Sequence, residues 1–276
     1  MEELKVAAIS MNSGIDKAEN VAKAIEMVKQ AASQGADWIQ LPEVFTYIGP
    51  YSRLHQNSDG EGDELIETLG QLSKSLGIIL FAGSIPETSH TSDNKVYNTS
   101  FVFNRDGSVI GKYRKIHLFN LIGDDQKPIY QESSGFLAGD SLVSIDIDGW
   151  QVALATCYDL RFPELFLKLT QRAKVDIFSL PSAFTYETGN AHWEILLRSR
   201  AIESLSYVFA ANQCGWKADR KRCYGHSMIV DPWGSILDET GSDEPAIAIT
   251  TIKKSEIKKA RSKLPIYHDR ESAVYS

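Results

Sequence analysis

"VALATCY", residues 152–158, decides the fold, because "VAAISMN", residues 6–12, carries the same pattern. Each reads as a buried strand: a short, near-continuous apolar run that stops at polar turn residues. A helical pattern follows each. Then comes a second matching pair, ADWIQLPEVF at 36–45 and VDIFSLPSAF at 175–184. Asp37 corresponds to Asp176, Leu41-Pro42 to Leu180-Pro181, and Phe45 to Phe184. Each unit is a strand, a helix and a strand ending in Leu-Pro. Two such βαβ halves imply an α/β protein with two facing sheets and helices on the outer faces.

The rest of the chain fits that frame. Apolar and β-branched runs recur at IILFAGSI, TSFVFN, VSIDI, YVFAAN, SMIV and AIAIT. Helical patterns interleave them at 17–34, 63–76, 163–173, 190–206 and 254–262. Asn104-Arg105-Asp106-Gly107 and Asp148-Gly149 are hairpin signals, so part of each sheet is expected to be antiparallel. Irregular loops are expected at 46–62, 87–97, 120–139 and 215–223. No low-complexity linker interrupts 1–276, which reads as one domain.

Composition excludes several classes. With 29 Lys and Arg against 36 Asp and Glu, the net charge is −7, which disfavours a nucleic-acid binder. One basic stretch, 251–270, reads as a solvated helix face. MEELKVAAISMN lacks the basic and apolar segments of a signal peptide, and no apolar run approaches the ~20 residues of a membrane span. Three cysteines, none in a CxxC pair, suit free thiols in a reduced, cytoplasmic setting. In that setting the Asn98-Thr99-Ser100 triplet carries no weight as a glycosylation acceptor.

Ligands of open α/β sheets gather at the carboxyl ends of strands. Met11, Glu43, Cys157 and Ser182 sit there, and two of them, Glu43 and Cys157, bear useful chemistry. A thiol in an apolar strand is commonly structural. At a strand end just before a helix, however, backbone donors and the helix dipole are expected to lower its pKa. The N–H of Tyr158, next to the sulfur, suits an oxyanion. Glu43 at the end of a buried strand is costly unless paired or used. In VIGKYRKIHLF, Lys115 precedes the apolar IHLF and is the basic residue best placed to point inward. Cys214 and Cys223 read as structural. The six histidines show no metal-ligand spacing, and P-loop, G-x-G-x-x-G and G-x-S-x-G motifs are absent, so no metal or cofactor is expected. A pairing of Cys157 with His117 or His226 stays open.

LPEVF around Glu43, YRKIHLF around Lys115 and TCYDLRFPEL around Cys157 together resemble the carbon–nitrogen hydrolase (nitrilase) superfamily, over essentially the whole chain. The resemblance implies a four-layer αββα sandwich and a Glu–Lys–Cys triad of Glu43, Lys115 and Cys157. It adds Glu132 from YQESSGFLAGD as a second glutamate. It implies a homodimer or larger homo-oligomer, and the C-terminal tail, about 251–276, is expected in its contacts. The implied chemistry is attack by Cys157 on an amide, proton transfer by Glu43, and an oxyanion held by Lys115 and the Tyr158 N–H. SLPSAFTYETGNAHWEILLRSRAIES and QCGWKADRKRCYGHSMIVDPWG resemble the branch of amidases acting on deaminated glutathione and on omega-amides of keto acids. A small linear carboxylate-bearing amide, deaminated-glutathione-like, is therefore the expected substrate. Omega-amidase, nitrilase and N-carbamoyl hydrolase activities are the alternatives, and a non-catalytic scaffold is a remote one. Arg161 and Phe184 are candidate substrate contacts, with Lys127, Lys217 and Arg220 as further loop cations. The helix around Trp193-Glu194 is a candidate dimer face, unless it simply packs in the core. FNLIGDDQKPIYQ, residues 119–131, departs from the branch pattern and is expected to wall the pocket.

Overall fold

A computed structural model of the chain describes residues 2–91, 94–218, 220–271 and 274. The first sheet takes β1 (Glu3–Ser10), β2 (Trp38–Gln40), β3 (Ile79–Phe81), β4 (Ile85–Glu87), β5 (Val96–Phe103) and β6 (Val109–Arg114), with helices α1 (Lys17–Ser33) and α2 (Glu64–Leu76) between its first three strands. A hairpin of β7 (Asn120–Ile122) and β8 (Pro128–Gln131), then the short β9 (Phe136–Leu137), lead to the second sheet. That sheet takes β10 (Val143–Ile147), β11 (Trp150–Leu154), β12 (Ile177–Ser179) and β13 (Tyr207–Ala210), with α3 (Pro163–Arg172) and α4 (Tyr186–Ser204) as crossovers. After the hairpin β14 (Cys214–Trp216) and β15 (Arg222–Tyr224) come β16 (Met228–Val230) and β17 (Ile236–Glu239). The chain then returns to the first sheet as β18 (Ala246–Lys253) and ends in α5 (Lys254–Lys263).

The two halves match strand for strand. The first sheet runs β18-β1-β2-β3-β5-β4, with β6 and β9 also paired to β5; the second runs β10-β11-β12-β13-β16-β17. In each, an antiparallel edge strand is followed by three parallel strands and then an antiparallel one. Even the register repeats: Val6 faces Trp38 as Val152 faces Ile177, and Trp38 faces Ile79 as Ile177 faces Tyr207. The shared aspartates explain the shared register. Asp37 accepts the Lys5 N–H at 2.9 Å and Asp176 the Gln151 N–H at 3.1 Å, pinning each second strand to its first. Equivalent residues also touch across the sheets. Ser179 Oγ donates to Gln40 Oε1 at 2.8 Å, and the Phe81 and Phe209 rings meet edge to face at 5.8 Å. These contacts mark a pseudo-twofold axis.

Burial explains the apolar runs. Alternate residues of β1 and β11, Leu4, Val6 and Ala8 with Val152 and Leu154, fill the space between the sheets beside Trp38, Trp150 and Tyr207. The intervening residues face outward, Ala7 and Ile9 toward α1 and α2, Ala153 and Ala155 toward α3 and α4. The result is the four-layer αββα order. Truncating an inter-sheet aromatic such as Trp38 to Ala costs about 3–5 kcal/mol.

Several expectations shift. Helix α4 starts at Tyr186, because Gly189 does not break it but packs where a Cβ would lie 2.4 Å from the Tyr224 side chain. The stretches 120–139 and 215–223, expected to be irregular, hold β7, β8 and β9 and the β14–β15 hairpin. Residues 251–263 are built into the fold through β18 and α5, whose Ile252 and Ile257 enter the inter-sheet core. Residues 272–273 and 275–276 of the expected oligomer tail lie outside the described residues.

Candidate active site

Cys157 opens a 3-10 turn, Cys157–Arg161, directly after β11, before Pro163 starts α3 at its first position. Thr156 and Asp159 close that turn with a capping box. The cysteine has φ +48°, a left-handed conformation that is uncommon outside glycine. Across the axis, Val44 follows Glu43 with φ +44°, and for a β-branched residue that is an outlier. The fold over-determines both. Cys157 N–H donates to the Pro181 carbonyl at 3.0 Å, Glu43 N–H to the Ser182 carbonyl at 3.3 Å, and Val44 N–H to Ser84 Oγ at 2.9 Å. Gly83 lets the Glu43 loop close: a Cβ there would sit 2.0 Å from the Pro42 carbonyl oxygen, and its φ is +52°. Strained backbone held this firmly points to function.

Lys115 follows β6. Residues alternate along that strand, so Lys112 and Arg114 turn to Glu87 on one face while Tyr113 and Lys115 turn inward. Only 1% of Lys115 is exposed. Its Nζ donates to Glu43 Oε1 at 2.8 Å and to both oxygens of Glu132 at 3.0 and 2.8 Å. Glu132 accepts the Phe119 N–H at 2.6 Å as well. Asn98 Nδ2 donates to Glu43 at 2.8 Å and to Glu132 at 3.1 Å. The sulfur of Cys157 is in hydrogen-bond contact with the Glu43 carboxyl and the Ala183 N–H. The structure thus brings Glu43, Lys115, Glu132 and Cys157 into one cluster from four separate segments.

The electrostatics correct one expectation. Burial pushes the Cys157 thiol well above its ordinary value and the charge of Glu43 pushes it further, against the pull of Lys115 and the Ala183 N–H. The strand-end position does not yield a ready thiolate: desolvation and a neighbouring carboxylate outweigh nearby backbone donors. Burial alone would depress the Lys115 ammonium, but the charges of Glu132 and Glu43 hold it well above the lysine value. Burial raises Glu132, with Lys115 pulling it down and Glu43 raising it further.

A cavity of about 900 Å³ opens over this cluster. Phe119, Pro128, Ile129, Tyr130 and Gln131 wall it, so the β7–β8 hairpin stands where 119–131 was expected to. Besides Lys115, its lining holds the cations Arg53, Lys217 and Lys221. Arg161 and Phe184, the expected substrate contacts, are not among the lining residues. The Arg161 guanidinium lies 5.3 Å from the Phe184 ring centre and reaches His192 Nδ1 at 3.2 Å, while Phe184 is buried against Trp193. Lys127 pairs with Asp125 in solvent. Tyr158 sits beside the sulfur with its ring against Phe119 and Phe162. Neither His117, bound to Asp159 at 2.7 Å, nor His226, stacked on Tyr224, lines the cavity. Cys223 does line it, whereas Cys214 is buried elsewhere. Asn98, the Phe119 N–H and the Ala183 N–H were not singled out in the sequence. The first had a signal, an asparagine in the middle of an apolar strand, where that residue is depleted. Among the described residues no group of side chains is arranged to hold a metal ion, and no helix is long and apolar enough to cross a membrane.

Residues 5–262 match the carbon-nitrogen hydrolase family, and the chain belongs to it. It is 38% identical over 275 residues to the deaminated glutathione amidase of Homo sapiens, spanning 98% of this chain and 83% of that protein. It is 35% identical over 278 residues to omega-amidase NIT2 of Homo sapiens, spanning 100% and 98%. Among solved structures, Saccharomyces cerevisiae Nit3, a member of branch 10 of the nitrilase superfamily, superposes with a TM-score of 0.87 at 30% identity, covering 98% of this chain and 97% of that one.

Proposed function

We propose that this protein is an amidase that hydrolyses a small linear amide bearing a carboxylate, deaminated-glutathione-like, and releases ammonia through a thioester on Cys157. The observation that carries this reading is the contact of the buried Cys157 sulfur with Glu43, which shares Lys115 with Glu132. Because the thiol is held protonated, attack needs a base at the moment of bond formation. Glu43 takes the thiol proton as sulfur attacks the amide carbon. The carbonyl oxygen becomes an oxyanion stabilised by the Lys115 ammonium and the Tyr158 N–H. As the C–N bond breaks, Glu43 returns the proton to the nitrogen and ammonia leaves. Water then adds to the thioester with Glu43 again as base, and acid and free thiol form. Glu132 keeps Lys115 charged and aimed throughout.

Two features favour a longer anionic substrate. A volume of about 900 Å³ lies toward the top of the ~300–1,000 Å³ range of small-molecule sites. Arg53, Lys217 and Lys221 in its lining give local positive charge in an acidic chain. Both relatives named above are amidases by name. The test is ammonia release from deaminated glutathione, α-ketoglutaramate, an uncharged aliphatic amide and an aliphatic nitrile. The carboxylate-bearing amides are expected to lead in kcat/KM by tenfold or more, deaminated glutathione first. A lead of that size for the nitrile or the uncharged amide overturns the substrate assignment.

A further inference from the structure

Among the described residues, Asn98 is the one neutral side chain that donates to both carboxylates of the cluster. It lies in β5, 1% exposed, on the face that also carries Ser100 and Val102. Val102 packs between the sheets, and Ser100 Oγ meets Thr156 Oγ1 at 3.2 Å beside the nucleophile turn. Along this face the strand therefore changes from core to site, and Asn98 is its last step. Its Nδ2 has two hydrogens and gives one to Glu43 Oε1 at 2.8 Å and one to Glu132 Oε1 at 3.1 Å. Lys115 Nζ donates to those same two oxygens. The Asn98 carbonyl also accepts the Lys115 N–H at 2.8 Å, so its backbone holds the lysine while its side chain holds the two carboxylates that bind the ammonium.

The other end of the amide is telling. Asn98 Oδ1 is buried and has no hydrogen-bond partner among the described residues. Buried acceptors are rarely left unpaired, because that costs stability. The orphan oxygen is tolerated because Nδ2 must face the two carboxylates, which can only accept.

We propose that Asn98 is a positioning residue for the reaction, fixing Glu43 against the Cys157 sulfur and Glu132 against Lys115. A neutral donor does this without neutralising either acid. A second cation there would quench the basicity of Glu43, and a carboxyl would add a third acid to the pair. The inference rests on the function proposed for this cluster, and its test is built to fail separately.

Asn98→Ala and Asn98→Asp are compared with the wild type by ammonia release from the best amide of the panel, by thermal melting, and by the rate at which chloroacetamide labels Cys157, followed by intact-mass spectrometry. Expected are a fall in kcat of about tenfold or more with KM within about threefold, a labelling rate lowered by about tenfold, and a melting temperature within a few degrees for Asn98→Ala. Labelling and kcat within threefold of wild type in either variant overturn the proposal. So does the failure of both variants to fold, which would make the amide structural. If wild type turns over no amide, the proposed function falls, and the labelling rate still decides the role of Asn98.

Discussion

Met11 and Cys157 occupy the same place in the two halves, at the end of the first strand. Glu43 and Ser182 share the end of the second. In each pair one residue has a proposed role in the chemistry and the other has none, and the choice is opposite in the two halves. The end of the second half's second strand holds both Glu43 and Cys157 by their backbones. The Ser182 carbonyl accepts the Glu43 N–H, and the Pro181 carbonyl beside it accepts the Cys157 N–H at 3.0 Å. A repeated scaffold thus sets the spacing across the axis, and a difference at two positions places the proposed acid–base group opposite the proposed nucleophile.

The largest expected effect separates the first pair. Cys157→Ala should lower ammonia release by at least about 10⁴-fold, because the nucleophile is gone, with the fold intact. Met11→Ala, at the equivalent buried position, should cost about 2–5 kcal/mol of stability and leave kcat within a few-fold. Turnover above a hundredth of wild type in folded Cys157→Ala would break the comparison.

The second pair should differ by less. Glu43→Gln keeps the shape but loses the base, so kcat should fall about 10²–10⁴-fold with KM little changed. Ser182 Oγ makes no hydrogen bond among the described residues, so Ser182→Ala should stay within threefold. Equal losses in steady-state assays of the two variants would mean that both strand ends act in the chemistry.

Much of this was readable in the chain because a repeat is self-checking. Asp37 and Asp176 recur for a reason of register, and the Leu-Pro pairs mark where both second strands end. Glu43, Lys115 and Cys157 stood out as polar residues where apolar strands stop. What escaped was tertiary. The depressed thiol pKa expected from local position fails because packing buries the sulfur and, after that, brings a carboxylate from the other half beside it. Asn98 read as a meaningless glycosylation triplet, because only the packed sheets show that it faces two acids. Arg161 looked like a cavity cation because it is near Cys157 in sequence, yet its 3-10 turn carries it away toward His192.

The outer layers differ as well. Among the described residues, α1 and α2 expose no large apolar side chain. Helix α4 exposes Ile195 at 66% and Ile202 at 45%, with Trp233 nearby at 51%, while Trp193, the expected dimer residue, is buried against Phe184. A helix apolar on both faces is normally covered. We propose that a second copy covers it. Ile195→Glu with Ile202→Glu should weaken self-association at least about tenfold by sedimentation. A wild-type chain that is monomeric at micromolar concentration would remove the proposal.

The smallest effect contrasts the outer strands β4 and β17, which take the same place in the two sheets. On β4, Glu87 accepts from Thr99 Oγ1 at 2.6 Å, Arg114 Nε at 2.8 Å and Arg114 Nη2 at 2.9 Å, and lies 2.7 Å from Lys112 Nζ. On β17, the Glu239 carboxylate has among the described residues only His226, at 4.0 Å. Burial works to raise the Glu87 carboxyl, but the hydrogen bonds from Arg114, Lys112 and Thr99 win and hold it at about 2 against an ordinary 4.5. A carboxylate depressed on folding contributes stability that is present above its unfolded pKa and is lost as pH falls through the folded one. The window here is about pH 4.5 down to 2. After discounting for solvent screening of the partly exposed cations, the contribution is about 1–2 kcal/mol. Urea unfolding of wild type and Glu87→Gln should show that difference at pH 7 and a shrinking one toward pH 2, while Glu239→Gln should show none at either. A Glu87→Gln difference that does not change between pH 7 and pH 2 would mean that shape, not charge, anchors this edge.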